Sequence, residues 1–79
     1  MSPTVLREAG YRFFFFSREE TKIHVHVYCS DGEAKFWIEP EIELAHNFGL
    51  SKKQLKLSAK IIEEHKNEIK TAWQDSFRS

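Results

Sequence analysis

Between residues 23 and 39 apolar and polar side chains alternate on either side of Asp31-Gly32, and from Ser51 onward the apolar positions recur at spacings of three, four or seven residues. The first pattern predicts strands and the second an amphipathic helix. Residues 4–8 and 11–17 flank Ala9-Gly10 and read as a first hairpin, in which Phe13, Phe14, Phe15 and Phe16 leave the second strand no polar face. Such a strand belongs inside a sheet, covered wholly or partly on both sides. After the charged connection 17–22, two alternating runs flank Asp31-Gly32. That dipeptide is a strong signal for a two-residue type I′ turn, because glycine accepts positive φ without steric cost. With Asp31 and Gly32 as the loop, Cys29, Val27 and Val25 oppose Ala34, Phe36 and Ile38 on a purely apolar face. Tyr28, His26 and His24 then oppose Lys35, Trp37 and Glu39 on the other. A three-residue loop would mix the faces, which the side-chain period of two makes costly when one face is buried.

Pro40 ends this hairpin, since a proline cannot donate to a ladder. Residues 41–46 alternate Ile42 and Leu44 with charges and read as a short edge strand, followed by a turn over 47–50 that contains Gly49. Ser51 with Gln54 three residues later fits a capping box. Leu55, Ala59, Ile62, Ile69, Trp73 and Phe77 define one apolar stripe, with His65 in its gap. The expected fold is therefore α+β: a small antiparallel sheet of four to five strands within 1–46, two hairpins plus the edge strand, packed on one face by a long C-terminal helix over 51–77.

Seventy-nine residues supply one core, so 1–79 is a single domain. The one cysteine, Cys29, excludes an internal disulfide, and its place on the apolar face reads as a small core residue rather than a nucleophile. No run approaches the roughly 20 apolar residues of a membrane span, and the N-terminus lacks the basic-then-apolar order of a signal peptide. A cytoplasmic protein that does not engage the membrane is the expectation. Twelve basic and twelve acidic residues cancel, so any electrostatic recognition has to be local. Glu33, Glu39, Glu41 and Glu43 crowd the middle, and Lys52, Lys53, Lys56 and Lys60 follow in the helix.

Candidate chemistry concentrates on the polar strand face. His24 and His26 lie about 6.5 to 7 Å apart along the same side of one strand. An imidazole moves protons near neutral pH, and Tyr28 and Lys35 stand beside the histidines to stabilise an anionic group, with Arg12 and Trp37 as substrate-binding residues. These are the parts that metal-independent RNA cleavage needs: an acid or base, a cation and an aromatic platform. Lys52 and Lys53 open the helix, where positive charge opposes the dipole by a few tenths to about 1 kcal/mol unless a phosphate docks there. Two alternatives stand beside this reading. One is a noncatalytic interaction module whose exposed aromatics bind a second copy of the chain or another protein. The other is a small metal-binding domain, in which His24 and His26 would need a third ligand from Glu39, His46 or His65; with no Cys/His cluster in the chain, no metal site is assigned. Nothing matches a serine or cysteine triad, a phosphate loop or a dinucleotide turn, and no cofactor is expected.

Several segments together resemble a known family: Ser2-Pro3-Thr4-Val5, Tyr11-Arg12-Phe13-Phe14-Phe15-Phe16-Ser17, His24-Val25-His26-Val27, Asp31-Gly32-Glu33-Ala34-Lys35-Phe36-Trp37, Glu63-Glu64-His65 and Ala72-Trp73. The family is the small prokaryotic domain of unknown function numbered 4160, and the resemblance covers nearly the whole chain. The family typically carries prolines just before the His-Val-His strand, where this chain has Thr21-Lys22-Ile23; the strand's entry differs and both histidines stay. The resemblance implies a gene often found beside a second domain of unknown function, numbered 2442, in pairs proposed to be toxin and antitoxin. It implies the toxin role for this chain and a cognate small antitoxin-like protein as its partner.

Overall fold

The structure is a computed structural model that describes residues 4–15 and 22–76. Five strands, β1 (Thr4–Glu8), β2 (Tyr11–Phe14), β3 (His24–Cys29), β4 (Gly32–Trp37) and β5 (Glu43–Phe48), form one antiparallel sheet in chain order. Two helices follow, α1 (Lys52–Glu64) and α2 (Lys66–Ser76). The α+β class read from the sequence is the observed one. Phe16, the connection 17–21 and Phe77 lie outside the described residues.

Strand alternation sorts the side chains. Tyr11, Phe13, Phe15, Val25, Val27, Cys29, Ala34 and Phe36 are buried on one face, where Ile61, Ile62 and Ile69 of the helices close the core. Leu55, Ala59, Ala72 and Trp73 pack around its margin. Phe14 points the other way, opposite His26, so the phenylalanine run serves both faces.

The first turn falls at Ala9-Gly10 as expected, and the second sits one residue earlier than the expected Asp31-Gly32. At β1–β2 both central residues have positive φ, Ala9 at 55° and Gly10 at 83°, the signature of a type I′ turn. At β3–β4 the loop is Ser30-Asp31 and Cys29 opposes Gly32, so the pairing expected from an Asp31-Gly32 loop is shifted by two residues. His24 opposes Trp37 rather than Glu39, and His26 opposes Lys35 rather than Trp37. A shift of two preserves both faces. Gly32 is needed for a different reason: a Cβ built there would overlap the Phe48 carbonyl oxygen. Gly49, at φ 100°, approaches from the other side, and a Cβ on it would meet the Asp31 carbonyl oxygen at 2.6 Å.

The edge strand lies two residues later than the expected 41–46 and contains a bulge. Leu44 opposes Phe36 and His46 opposes Lys35, which leaves Ala45 as the extra residue. Beyond it the Asn47 side chain closes the turn, its Nδ2 donating to the Leu50 carbonyl and its Oδ1 accepting from the Leu50 amide, both at 3.0 Å.

The capping box is formed: Ser51 Oγ accepts from the Gln54 amide at 3.1 Å, and the Ser51 amide donates to Gln54 Oε1 at 2.8 Å. Gln54 Nε2 also donates to Asp31 Oδ2 at 2.7 Å, tying the helix start to the β3–β4 turn. The single long helix expected over 51–77 is instead two joined helices, broken at His65 with φ −115° and ψ 21°. There the imidazole bridges two carboxylates, Glu68 one turn on at 2.8 Å and Glu8 of β1 at 3.0 Å. Carboxylate oxygens only accept, so both hydrogen bonds form together only when the ring is protonated as an imidazolium. The Glu68 hydrogen bond first, and then that of Glu8, raise its pKa above the ordinary histidine value.

Candidate functional site on the open sheet face

The sheet face away from the helices carries two cross-strand rows. In the first, Phe14 of β2, His26 of β3, Lys35 of β4 and His46 of β5 are successive partners. In the second, Arg12, Tyr28, Glu33 and Phe48 are. The rows are two residues apart along the strands, about 6.5 to 7 Å. A shallow cavity of about 410 Å³ opens between them, lined by Arg12, Phe14, His26, Glu33, Ala34, Lys35, His46 and Phe48.

Cations and rings are interleaved across this face. The Arg12 guanidinium lies 4.6 Å above the Phe14 ring, held by its Nε donating to Thr4 Oγ1 at 2.8 Å. Phe14 stacks on His26 with centroids 5.4 Å apart and an angle of 23°. Trp37 lies beneath both Lys22 and Lys35, each ammonium 4.5 Å from its ring centre; such contacts contribute about 0.5 to 1 kcal/mol at exposed sites. His46 stacks on Phe48 at 6.1 Å. Phe48 and Tyr28 are the open platforms, 65% and 51% exposed, whereas Phe14 is buried under its neighbours.

Six of the eight residues singled out from the sequence, His24, His26, Tyr28, Lys35, Arg12 and Trp37, share this face. His24 differs from the rest in its surroundings: it is only 3% exposed. Its Nδ1 donates to the Lys22 carbonyl at 2.9 Å, and its ring is enclosed edge-on by His26 at 5.3 Å, Trp37 at 5.8 Å and Trp73 at 4.9 Å. Such an imidazole orients its neighbours and has little access to a ligand. Lys52 and Lys53 are exposed at the start of α1, on the helical layer, and do not line the cavity.

Sequence reasoning assigned the face no role for Phe14, Glu33 or Phe48, and placed His46 only as a candidate metal ligand. Phe14 was hidden by its apolar run. His46 and Phe48 were hidden by the Ala45 bulge, since simple alternation from Leu44, on the core side, puts His46 on the core side too. Among the described residues no three His, Cys, Asp or Glu side chains gather as a metal-binding group. No helix among them is long and apolar enough to cross a membrane.

The fold and face define a small α+β module with a helix-backed antiparallel sheet and an open surface of interleaved cations and aromatic rings. The family model described as Domain of unknown function (DUF4160) matches residues 10–74, and the chain belongs to that family. No curated protein and no solved structure matches the chain.

Proposed function

We propose that this protein binds single-stranded RNA on the open sheet face and acts as the toxin of a bacterial toxin–antitoxin pair. The observation that carries the RNA reading is the cavity in which Arg12, Lys35, His26 and His46 meet the aromatic platform of Phe48. Small sheets hold single strands by stacking bases on exposed rings and placing cations along the phosphates. Tyr28 and Phe48 flank Glu33 in one row; bases stacked on the two rings would place an exocyclic amine within reach of the Glu33 carboxylate, which only accepts. The phosphates would then follow the adjacent row, past Lys35, with Arg12 at the sheet's other side. A chain of zero net formal charge needs such local concentration of cations to attract a polyanion. The toxin role and a cognate antitoxin-like partner rest on the family resemblance and the paired gene arrangement that it implies.

The test is fluorescence anisotropy of a labelled single-stranded RNA against salt. The expected result is binding that weakens as salt rises and that falls about 5- to 150-fold in Phe48→Ala or Tyr28→Ala, the equivalent of one lost base stack of about 1 to 3 kcal/mol. Wild-type affinity in both variants would contradict the proposal. The interaction-module reading has one observation in its favour: β5 is an edge strand with Leu44 and Phe48 exposed. Concentration-dependent self-association lost in Phe48→Ala, without RNA binding, would favour it.

A further inference from the structure

We infer that His26 and His46, on either side of Lys35, are the proton-transfer pair of an RNA-cleaving site that uses the ribose 2′-hydroxyl as nucleophile. The inference rests on the RNA reading above and adds a reaction and its residues.

Directly opposed residues on neighbouring strands have side-chain origins about 5 Å apart. His26 and His46 each oppose Lys35, so their side chains start about 10 Å apart on one face with the ammonium-bearing chain between them. All three line the same cavity. That spacing of the side-chain origins leaves room for a phosphodiester between them, with the Lys35 side chain starting from the strand in the middle. His26 is set against Phe14 and His46 against Phe48, so each ring has an aromatic neighbour that restrains its plane. The bulge at Ala45 brings the second histidine to this face. The enclosed ring of His24, bonded to the Lys22 carbonyl, is the less suitable second partner despite its place one alternation from His26.

In the reaction, one neutral imidazole takes the proton of the ribose 2′-hydroxyl as its oxygen forms a bond to phosphorus. The phosphorus–O5′ bond breaks, and the other histidine, as imidazolium, gives its proton to the departing 5′ oxygen. One proton is taken and one is given, and no oxidant, reductant or co-substrate is consumed. The products are a 2′,3′-cyclic phosphate and a 5′-hydroxyl. Charge accumulates on the non-bridging phosphate oxygens in the transition state, and the Lys35 ammonium, 4.5 Å from the Trp37 ring centre in this structure, would stabilise it on swinging to the phosphate.

The experiment incubates the purified chain with a labelled single-stranded RNA, and with the same sequence bearing 2′-O-methyl riboses, and identifies the product ends by mass spectrometry; anisotropy follows binding in parallel. The expected result is cleavage of the RNA to 2′,3′-cyclic phosphate and 5′-hydroxyl ends, with the 2′-O-methyl strand bound but intact. His26→Gln and His46→Gln should each lose at least about 100-fold in cleavage rate while still binding the strand. His46 is exposed on an edge strand, so its variant tests the inference even if His26→Gln fails to fold. Binding without cleavage, cleavage at wild-type rate in His46→Gln, or cleavage of the 2′-O-methyl strand would overturn the inference and leave the RNA reading standing. Absence of binding by the wild-type chain would overturn both.

Discussion

Ala9 occupies a conformation that favours glycine, with φ at 55° in the first turn. A left-handed L-residue costs roughly 1 to 2 kcal/mol, partly offset by the smaller unfolded-state entropy of alanine relative to glycine. Ala9→Gly is therefore expected to stabilise the protein by about 0.5 to 1 kcal/mol, seen as a rise of a few degrees in thermal midpoint; an unchanged or lower midpoint would contradict this account of the turn. The second turn shows why residue identity alone misplaced the loop. Asp31-Gly32 carries the dipeptide of a type I′ turn, yet Gly32 is required by the backbone of Phe48 pressing against it. That contact comes from residues sixteen positions away in the chain and leaves no mark in the local pattern. The faces were nevertheless readable, because alternation from His24 to Trp37 survives a shift of two. The exposure of individual residues was not: His24 and His26 are equivalent by spacing, and only the enclosure by Trp37 and Trp73 separates them.

At the scale of elements, two interruptions set the geometry. The Ala45 bulge turns His46 and Phe48 to the open face and completes both rows; periodicity assigns a strand there but not the extra residue. The helix break at His65 belongs to the Glu8–His65–Glu68 bridge, which joins β1 to the helical layer. Apolar spacing runs through His65 from Ile62 to Ile69, so the sequence supports one helix, and the partner that marks the break is distant in sequence. Because the two carboxylates raise the folded-state pKa of His65, the bridge stabilises the fold fully below the ordinary imidazole value near 6.5. That contribution is lost as pH rises through the raised value. Thermal midpoints measured from pH 6 to pH 9 should fall in the wild type and fall less in His65→Gln; parallel profiles would show that the bridge carries no pH-dependent stability.

For the whole molecule, one sheet face is spent on the core and the other is left open, and the proposed recognition falls on that open face. The helices cover Phe13, Val25, Val27 and Phe36, and Arg12, Lys22 and Lys35 set cations against the rings of Phe14 and Trp37. Lys52 and Lys53, the other basic candidates, sit on the helical layer and have no part in the account. The central claim is that single-stranded RNA occupies the open face, and the most direct measurement is backbone and side-chain chemical-shift mapping of the labelled protein during titration with a short single-stranded RNA. The account predicts shifts at Arg12, His26, Tyr28, Lys35, His46 and Phe48, with Lys52 and Lys53 unmoved; shifts confined to the helices, or none at all, would contradict it.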